Sequence, residues 1–163
     1  PPFGLLNYIM ELLGFAPHAW LGDVRTALLS IILMQVVMGG GSSIVLITAA
    51  MGSIPYHLYE AAYLDGATKT QAFFKVTIPL LRPTILYLLV TGTISSFQVF
   101  TNVYLMTQGG PQFSTMTLVY LIYDTAFKQF KFGLASAQAV VLFAIVFALA
   151  IVQFKFLGQE VEY

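Results

Sequence analysis

The sequence contains no cysteine, and charged residues make up only 9% of its 163 positions. Without cysteine the chain has no disulfide bond and no thiolate metal site, although this absence does not identify a cellular compartment. Soluble domains carry about 25% charged residues, so this chain has too few charges to cover a surface that faces water. The formal net charge is zero, and nothing in the composition indicates a nucleic-acid partner. The composition therefore predicts a lipid environment.

Apolar side chains dominate the chain, at 58% of residues, and the mean hydropathy is +0.84. Three stretches without Asp, Glu, Lys or Arg each contain the roughly 20 apolar residues that a membrane-spanning helix needs. Their apolar residues continue around the whole helix, as contact with lipid and neighbouring helices requires. We therefore predict an all-α fold, a polytopic bundle of membrane helices, with spans at about Ala27–Ala50, Thr84–Met106 and Gly133–Phe154.

The start of the chain indicates a fragment. It begins with Pro1 and Pro2 rather than methionine, and no basic segment precedes a short apolar run. A secretory signal peptide has a basic segment followed by a short apolar run, so none is predicted. We expect the missing N-terminal part to hold further membrane spans.

Two further segments have amphipathic patterns. Phe3–Phe15 precedes the first span, and Thr107–Lys131 opens with a Gly-Gly-Pro turn and continues with apolar residues at helical spacing. Both patterns predict helices along a membrane face. The distribution of basic residues weakly favours a cytoplasmic location for the 53–82 loop and for the C-terminus. Lys69, Lys75, Arg82 and Lys155 lie on that side, against Arg25, Lys128 and Lys131 on the other.

The loop between the first two spans, at about residues 53–82, has the pattern of a helical hairpin. Ser53 can cap a helix over Tyr56–Leu64, and Gly66 follows at the place of a left-handed C-terminal residue. Thr68 and Gln71 have capping-box spacing for a second helix. We predict that this second helix ends at about Val76, with Pro79 and Pro83 marking the return to the membrane.

A short rigid hairpin at the membrane surface suits docking, because a helix held in a groove of a partner transmits movement with little slack. Ala61 and Ala62 allow close approach, and the Glu60 carboxylate can bind a partner arginine. From these residues alone, a solvated loop with an incidental glutamate remains equally open.

The same loop resembles the EAA loop of permease subunits of binding-protein-dependent ABC importers. The family pattern is Glu-Ala-Ala, three residues, glycine, nine residues and I-x-L-P. The chain departs from it only at Val76 and Ile78, which replace isoleucine and leucine. The resemblance implies that the loop couples this chain to a cytoplasmic ATPase through Glu60, Ala61, Ala62, Asp65, Gly66, Ala67 and Pro79.

Other short runs are similar to the sugar-uptake branch of this family, which includes the maltose, lactose and glycerol-phosphate permeases. They are Ser96–Phe100, Tyr104–Thr107, Gly109–Pro111, Tyr123–Phe127 and Phe132–Gly133. The resemblance implies a core of about six spans, of which this chain holds the last three. It also implies a multi-pass protein of a bacterial or archaeal cell membrane, a sugar or related polyol as substrate, and three kinds of partner. These are a second permease subunit, two cytoplasmic ATPase subunits and an extracytoplasmic solute-binding protein.

Polar residues within the spans are candidates for a substrate pathway or for contacts between helices. Thr91, Ser95, Gln98 and Asn102 follow the spacing of one helix face, which could bind sugar hydroxyls. In the family, the span before the EAA loop contributes to the substrate site. The candidates that these two arguments give are Gln35, Gly39, Ser42, Ser95, Ser96, Gln98 and Asn102. None is charged, which suits a neutral polyol, although any single Ser or Thr could instead join helices.

Catalytic chemistry is scarce in the sequence. There is no glycine-rich phosphate loop, so ATP is expected on the partner ATPase and no cofactor is expected on this chain. His18 and His57 are far apart in sequence, and a solvated histidine is the simpler interpretation of His57. Asp65-Gly66-Ala67 leaves a membrane-embedded transferase as an alternative, but the further aspartates that such a site needs are missing.

Overall fold

The computed structural model describes residues 4–157, and every regular element within that range is a helix. Three helical stretches are long and apolar enough to cross a membrane: Ala27–Gly52, Arg82–Met106 and Phe132–Phe156. Only 6% of each apolar window is buried, as expected of helices whose surfaces face lipid or further helices. The prediction of an all-α membrane protein with three spans is confirmed, and the predicted ranges fall inside these helices.

The helices follow one another closely along the described chain. Two wide π-helical turns, Phe73–Thr77 and Asp124–Lys128, interrupt the α-helical series. The α-helices are α1 (Leu5–Leu12), α2 (Ala27–Gly39), α3 (Gly41–Gly52), α4 (Tyr56–Leu64), α5 (Lys69–Ala72), α6 (Ile78–Leu80), α7 (Arg82–Phe97), α8 (Thr101–Met106), α9 (Leu118–Tyr123) and α10 (Phe132–Leu157).

The chain divides into two compact units. The first comprises the described residues up to Val37 together with Val99–Gln138, and the second comprises Met38–Gln98 with the described residues from Ala139 onward. The second unit contains the hairpin of residues 53–82 and most of the predicted pathway residues.

The first unit has a small core in which Ile31, Val103 and Tyr120 are at most 2% exposed. Within the predicted amphipathic segment Phe3–Phe15, the helix α1 covers Leu5–Leu12; it ends before Phe15, and Phe3 lies outside the described residues. Asn7 attaches α1 to the loop that follows it. The Trp20 indole N–H donates to the Asn7 Oδ1 at 2.7 Å, and the Asn7 amide donates to the His18 carbonyl at 3.0 Å.

The segment between the second and third spans forms a tight turn and a short helix. Gly109 adopts φ +83°, and its hydrogen-bonded turn leads to α9, whose first turn is capped by the Thr117 hydroxyl. The predicted amphipathic helix is therefore confirmed, although it is short. It continues as the π-helical turn to Lys128, and Phe130 lies beyond its end with φ +56°.

Candidate functional site

The hairpin of residues 53–82 begins differently from the prediction. The Ser53 hydroxyl donates to the Ala50 carbonyl at 2.8 Å, so Ser53 ends α3 rather than starting α4. Pro55 is the residue that precedes α4, with extended φ −61° and ψ 129°. The prediction of Ser53 as an N-terminal cap is wrong because its side chain is already engaged by the preceding helix. The predicted helix Tyr56–Leu64 is present with those bounds.

The predicted glycine elbow is confirmed in detail. Gly66 adopts φ +80°, and two backbone hydrogen bonds close the end of α4 around it. Gly66 N–H donates to the Tyr63 carbonyl at 3.0 Å, and Ala67 N–H donates to the Ala62 carbonyl at 2.9 Å. This pair of bonds is the Schellman motif, which satisfies carbonyls that a helix end would otherwise leave free.

The predicted capping box at the start of α5 is also confirmed. The Thr68 N–H donates to the Gln71 side-chain oxygen at 2.8 Å, and the Gln71 N–H donates to the Thr68 hydroxyl at 3.3 Å. Because both ends of the elbow are closed by hydrogen bonds, the hairpin has a defined bend rather than a loose loop.

The return arm of the hairpin differs from the prediction that the second helix ends near Val76. After α5 the chain remains helical through the π-helical turn Phe73–Thr77 and then through α6, which includes Pro79. Proline has no N–H to donate and crowds the carbonyl four residues before it, here that of Lys75. A widened turn directly before Pro79 accommodates this defect without ending the helical path.

Several predicted coupling residues meet at the elbow. Ala62, Asp65, Gly66 and Ala67 line a cleft of about 340 Å³, whose other wall includes Lys75. The remaining three predicted residues, Glu60, Ala61 and Pro79, do not line it. Glu60 and Ala61 are exposed on α4, and the Glu60 carboxylate has no hydrogen bond or ion pair with any residue that the structure describes.

A second cavity of about 480 Å³ lies between α7 and the segment that joins α2 to α3 in the second unit. We call it the polar groove. It brings together three of the predicted pathway residues, Gly39, Ser42 and Ser95. Its lining residues are Gly39, Ser42, Ser43, Leu46, Tyr87, Leu88, Thr91, Gly92 and Ser95. None carries a charge, five of them carry a hydroxyl group and two are glycines.

Sequence reasoning missed Tyr87 as a groove residue. Tyr87, Thr91 and Ser95 are spaced by four residues along α7, so they share one helix face. That spacing, extended one turn toward the N-terminus from Thr91, was the signal that could have found Tyr87. The Thr91 hydroxyl donates to the Tyr87 carbonyl at 2.7 Å, which leaves its oxygen able to accept a further bond.

The other predicted pathway residues do not line the polar groove. They are Gln35, Ser96, Gln98 and Asn102. The predicted single face from Thr91 to Asn102 is wrong, because α7 ends at Phe97 and α8 begins only at Thr101. Ser96 donates to the Thr93 carbonyl at 2.9 Å.

In the part of the chain that the structure describes, no group of three or more His, Cys, Asp or Glu side chains could hold a metal ion.

The three long apolar helices and the neutral polar groove define a multi-pass membrane protein. The chain belongs to the family of binding-protein-dependent transport system inner membrane components, whose sequence pattern matches residues 1–162. This membership makes it a transport component rather than an enzyme, and the transferase interpretation of Asp65-Gly66-Ala67 loses its support.

Named relatives agree with this family. The sulfoquinovosyl glycerol transport system permease protein of Agrobacterium fabrum is 38% identical over 88% of this chain and 46% of its own length. The trehalose/maltose transport system permease protein of Thermococcus litoralis is 33% identical over 94% of this chain and 52% of its own length. The chain thus spans about half the length of the curated relatives it matches.

The fold is similar to that of a solved transporter. A chain in the crystal structure of a bacterial ABC transporter involved in the import of the acidic polysaccharide alginate superposes with a TM-score of 0.79. The match covers 98% of this chain and 56% of that one, at 23% sequence identity. At this identity the likeness shows the fold alone.

Proposed function

We propose that the chain is the C-terminal part of a permease subunit of an ATP-driven ABC importer for a sugar or related polyol. It forms part of the translocation pathway and couples to a cytoplasmic ATPase through the hairpin of residues 53–82. The named relatives are permeases of sugar and sugar-derivative systems, which supports this substrate class.

The observation that carries the proposal is the combination of a stiff hairpin and a carboxylate that has no partner among the described residues. The Schellman motif at Gly66 and the capping box at Thr68 fix the bend. On α4, Glu60 and Ala61 are exposed, and the small alanine side chain permits a partner groove to approach closely. A charge-assisted bond from a basic residue of the ATPase to Glu60 would then hold the joint.

The polar groove supports this substrate class. Ser42, Thr91 and Ser95 offer hydroxyl groups, and Tyr87 offers an aromatic face with a hydroxyl at its edge. Such a lining hydrogen-bonds hydroxyls and stacks against the apolar face of a sugar ring, and it offers no charge to an ion.

The implied partners follow from the same assignment. A second permease subunit completes the pathway, two cytoplasmic ATPase subunits bind and hydrolyse ATP, and an extracytoplasmic binding protein delivers the substrate. This chain itself needs no cofactor. The hairpin and the C-terminus are cytoplasmic, and the 107–131 segment is extracytoplasmic; residues 158–163 lie outside the described residues.

Exchange of one exposed glutamate tests the proposal. In the full-length protein, Glu60→Lys should release the ATPase subunits in a pull-down, because breaking a buried ion pair costs about 3–5 kcal/mol. The matched control is Glu11→Lys, which reverses another exposed glutamate, on α1. Both variants should still insert in the membrane. Wild-type ATPase binding and wild-type substrate-stimulated hydrolysis in Glu60→Lys would contradict the coupling role.

A further inference from the structure

One side-chain hydrogen bond ties α4 directly to the return arm of the hairpin. The hydroxyl groups of Tyr59 and Thr77 lie 2.9 Å apart, although the two residues are 18 positions apart in sequence. Thr77 is 2% exposed and Tyr59 is half-buried, so water competes little for this bond. Within the described part of the chain, no other side-chain hydrogen bond or ion pair joins α4 to the return arm.

The position of Thr77 gives this bond mechanical significance. Thr77 is the last residue of the π-helical turn that precedes Pro79, and its carbonyl accepts from the Leu81 N–H at 3.0 Å. Leu81 directly precedes α7, the helix that carries Ser95 and the other groove residues of that span. A wide turn followed by proline is a weak point for transmitting movement, because the regular hydrogen-bond ladder is interrupted there.

The hairpin therefore offers two routes from α4 to α7. One follows the chain around the Gly66 elbow, through α5 and the widened turn. The other passes directly from the Tyr59 ring to the Thr77 hydroxyl and skips the elbow, α5 and most of the turn. The direct route is shorter, and it meets the return arm at the last residue of the widened turn.

We propose that Tyr59 and Thr77 form a positioning clamp that makes α4 and the start of α7 move as one body when the ATPase subunits close. This inference rests on the proposed function and goes beyond it, because neither residue is among the predicted coupling residues. The clamp determines how much ATP hydrolysis is converted into substrate movement. It does not determine whether the ATPase binds.

The test uses the full-length importer with its ATPase subunits, reconstituted in lipid vesicles, with uptake of the transported sugar and ATP hydrolysis measured together. Tyr59→Phe and Thr77→Val each remove one hydroxyl. Both should leave ATPase binding unchanged and lower the amount of sugar imported per ATP by about two- to tenfold, the factor that corresponds to one neutral hydrogen bond. The double variant should be no worse than either single variant, since one bond is lost in all three.

Two conservative variants serve as controls. Tyr63→Phe removes a hydroxyl one turn further along α4 that has no hydrogen bond with any described residue, and it should behave as wild type. Thr77→Ser keeps the hydroxyl and should restore most of the yield that Thr77→Val loses. A merely structural role would reduce uptake and hydrolysis together, with loss of assembled complex.

The outcomes separate this inference from the proposed function. If Tyr59→Phe imported as much sugar per ATP as the wild type and as Tyr63→Phe, the clamp alone would be overturned. Loss of ATPase binding in Tyr59→Phe would also overturn it, because the clamp acts after docking. A wild-type complex without ATP-driven uptake would overturn the proposed function, and the clamp with it.

Discussion

The side-chain amide of Gln153 donates a 2.6 Å hydrogen bond to the hydroxyl of Thr93, which joins α10 to α7 within the second unit. The side-chain carbonyl oxygen of Gln153 is buried and has no hydrogen-bond partner among the residues that the structure describes. Polar groups in a membrane span either hold helices together or line a pathway. For this pair the geometry favours the first role.

Removal of that bond should weaken helix association. We expect Gln153→Leu and Thr93→Val each to lower the free energy of unfolding of the detergent-solubilised protein. Hydrogen bonds between membrane helices contribute about 0.6 kcal/mol on average and about 1.7 kcal/mol at most. Thermal unfolding of the full-length protein measures this effect. The matched control is Thr48→Val, since the Thr48 hydroxyl donates only to the Ile44 carbonyl of its own helix. Equal unfolding temperatures for Thr93→Val and Thr48→Val would contradict the assignment.

The polar groove gives a prediction about substrate uptake in which two neighbouring serines form a matched pair. Ser95 lines the groove, whereas Ser96 does not and donates to a carbonyl of its own helix. Ser95→Leu and Ser42→Leu should therefore lower uptake and alter substrate preference, while Ser96→Leu should have a smaller effect. Transport assays on assembled complexes would measure the difference. A larger effect from Gln98→Leu or Asn102→Leu would place the pathway outside this groove.

The local chemistry of the hairpin was predictable from the sequence, and the interruption of the second span was not. Gly66 and the Thr68–Gln71 pair act through neighbouring backbone groups, so spacing alone identifies them. Between α7 and α8 there is neither glycine nor proline to predict a break. There the Val99 carbonyl accepts a 3.0 Å bond from the Thr117 hydroxyl, 18 residues later. A tertiary contact of this kind overrides helix propensity, and no local pattern reveals it.

The position of the widened turn before Pro79 was predictable from the sequence, but its form was not. Proline indicates a defect in the helix, but the sequence does not say whether the chain ends the helix or widens it. Packing decides, because Ala72, just before the turn, and Thr77, its last residue, are both buried and hold the return arm in place. The Tyr59–Thr77 bond was likewise beyond sequence reasoning, since it joins residues on two arms of the hairpin.

The elbow gives a prediction that separates backbone strain from steric clash. An added Cβ at Gly66 would meet nothing within 4 Å, so only its φ of +80° opposes substitution. Gly66→Val should strain the elbow by about 1–3 kcal/mol and reduce coupled uptake. Gly66→Asn should retain most of the activity, because asparagine tolerates left-handed backbone. ATP-driven uptake of the two variants measures this, and equal losses would show that the elbow requires glycine for close approach of a partner instead.

The 107–131 segment contains a charged network whose stability should depend on pH in a defined direction. The Lys128 ammonium donates to the Tyr120 hydroxyl at 2.9 Å and lies 3.1 Å from the Asp124 carboxylate. These two contacts raise the pKa of Lys128, and bonds from Gln129 and Lys128 lower the pKa of Asp124. The stabilisation through Asp124 is present above the usual aspartate pKa of about 3.9 and is lost as pH falls through its lowered value.

Hydrogen exchange of this segment in the full-length protein provides the measurement. Protection of α9 should be constant between about pH 5 and 9, where both charged forms persist, and should fall in stronger acid. Lys128→Met should reduce protection at neutral pH, because it leaves Asp124 without its ammonium and Tyr120 without its donor. Lys131→Met is the matched control, since the Lys131 side chain forms no hydrogen bond or ion pair with any described residue. Equal protection in the two variants would show that the network does not hold α9.

Membrane topology is the last prediction, and it is the one on which the coupling role depends. A single candidate span, Arg82–Met106, separates the hairpin from the 107–131 segment, so we expect the two to lie on opposite sides of the bilayer. By its 25 residues and its apolar composition this stretch is long enough to cross a membrane. Because this chain has no cysteine, single cysteines at exposed Gln71 and Gln112 add the only thiols within it. In whole cells an impermeant thiol reagent should label the Gln112 site and reach the Gln71 site only after permeabilisation. Gln71→Cys removes a side chain of the capping box, so Thr70→Cys on the same exposed turn serves as a second site. It should give the same labelling as Gln71→Cys. If intact cells were labelled at the hairpin sites but not at Gln112, the hairpin would be extracytoplasmic. It could then not contact a cytoplasmic ATPase, and the coupling role would be contradicted.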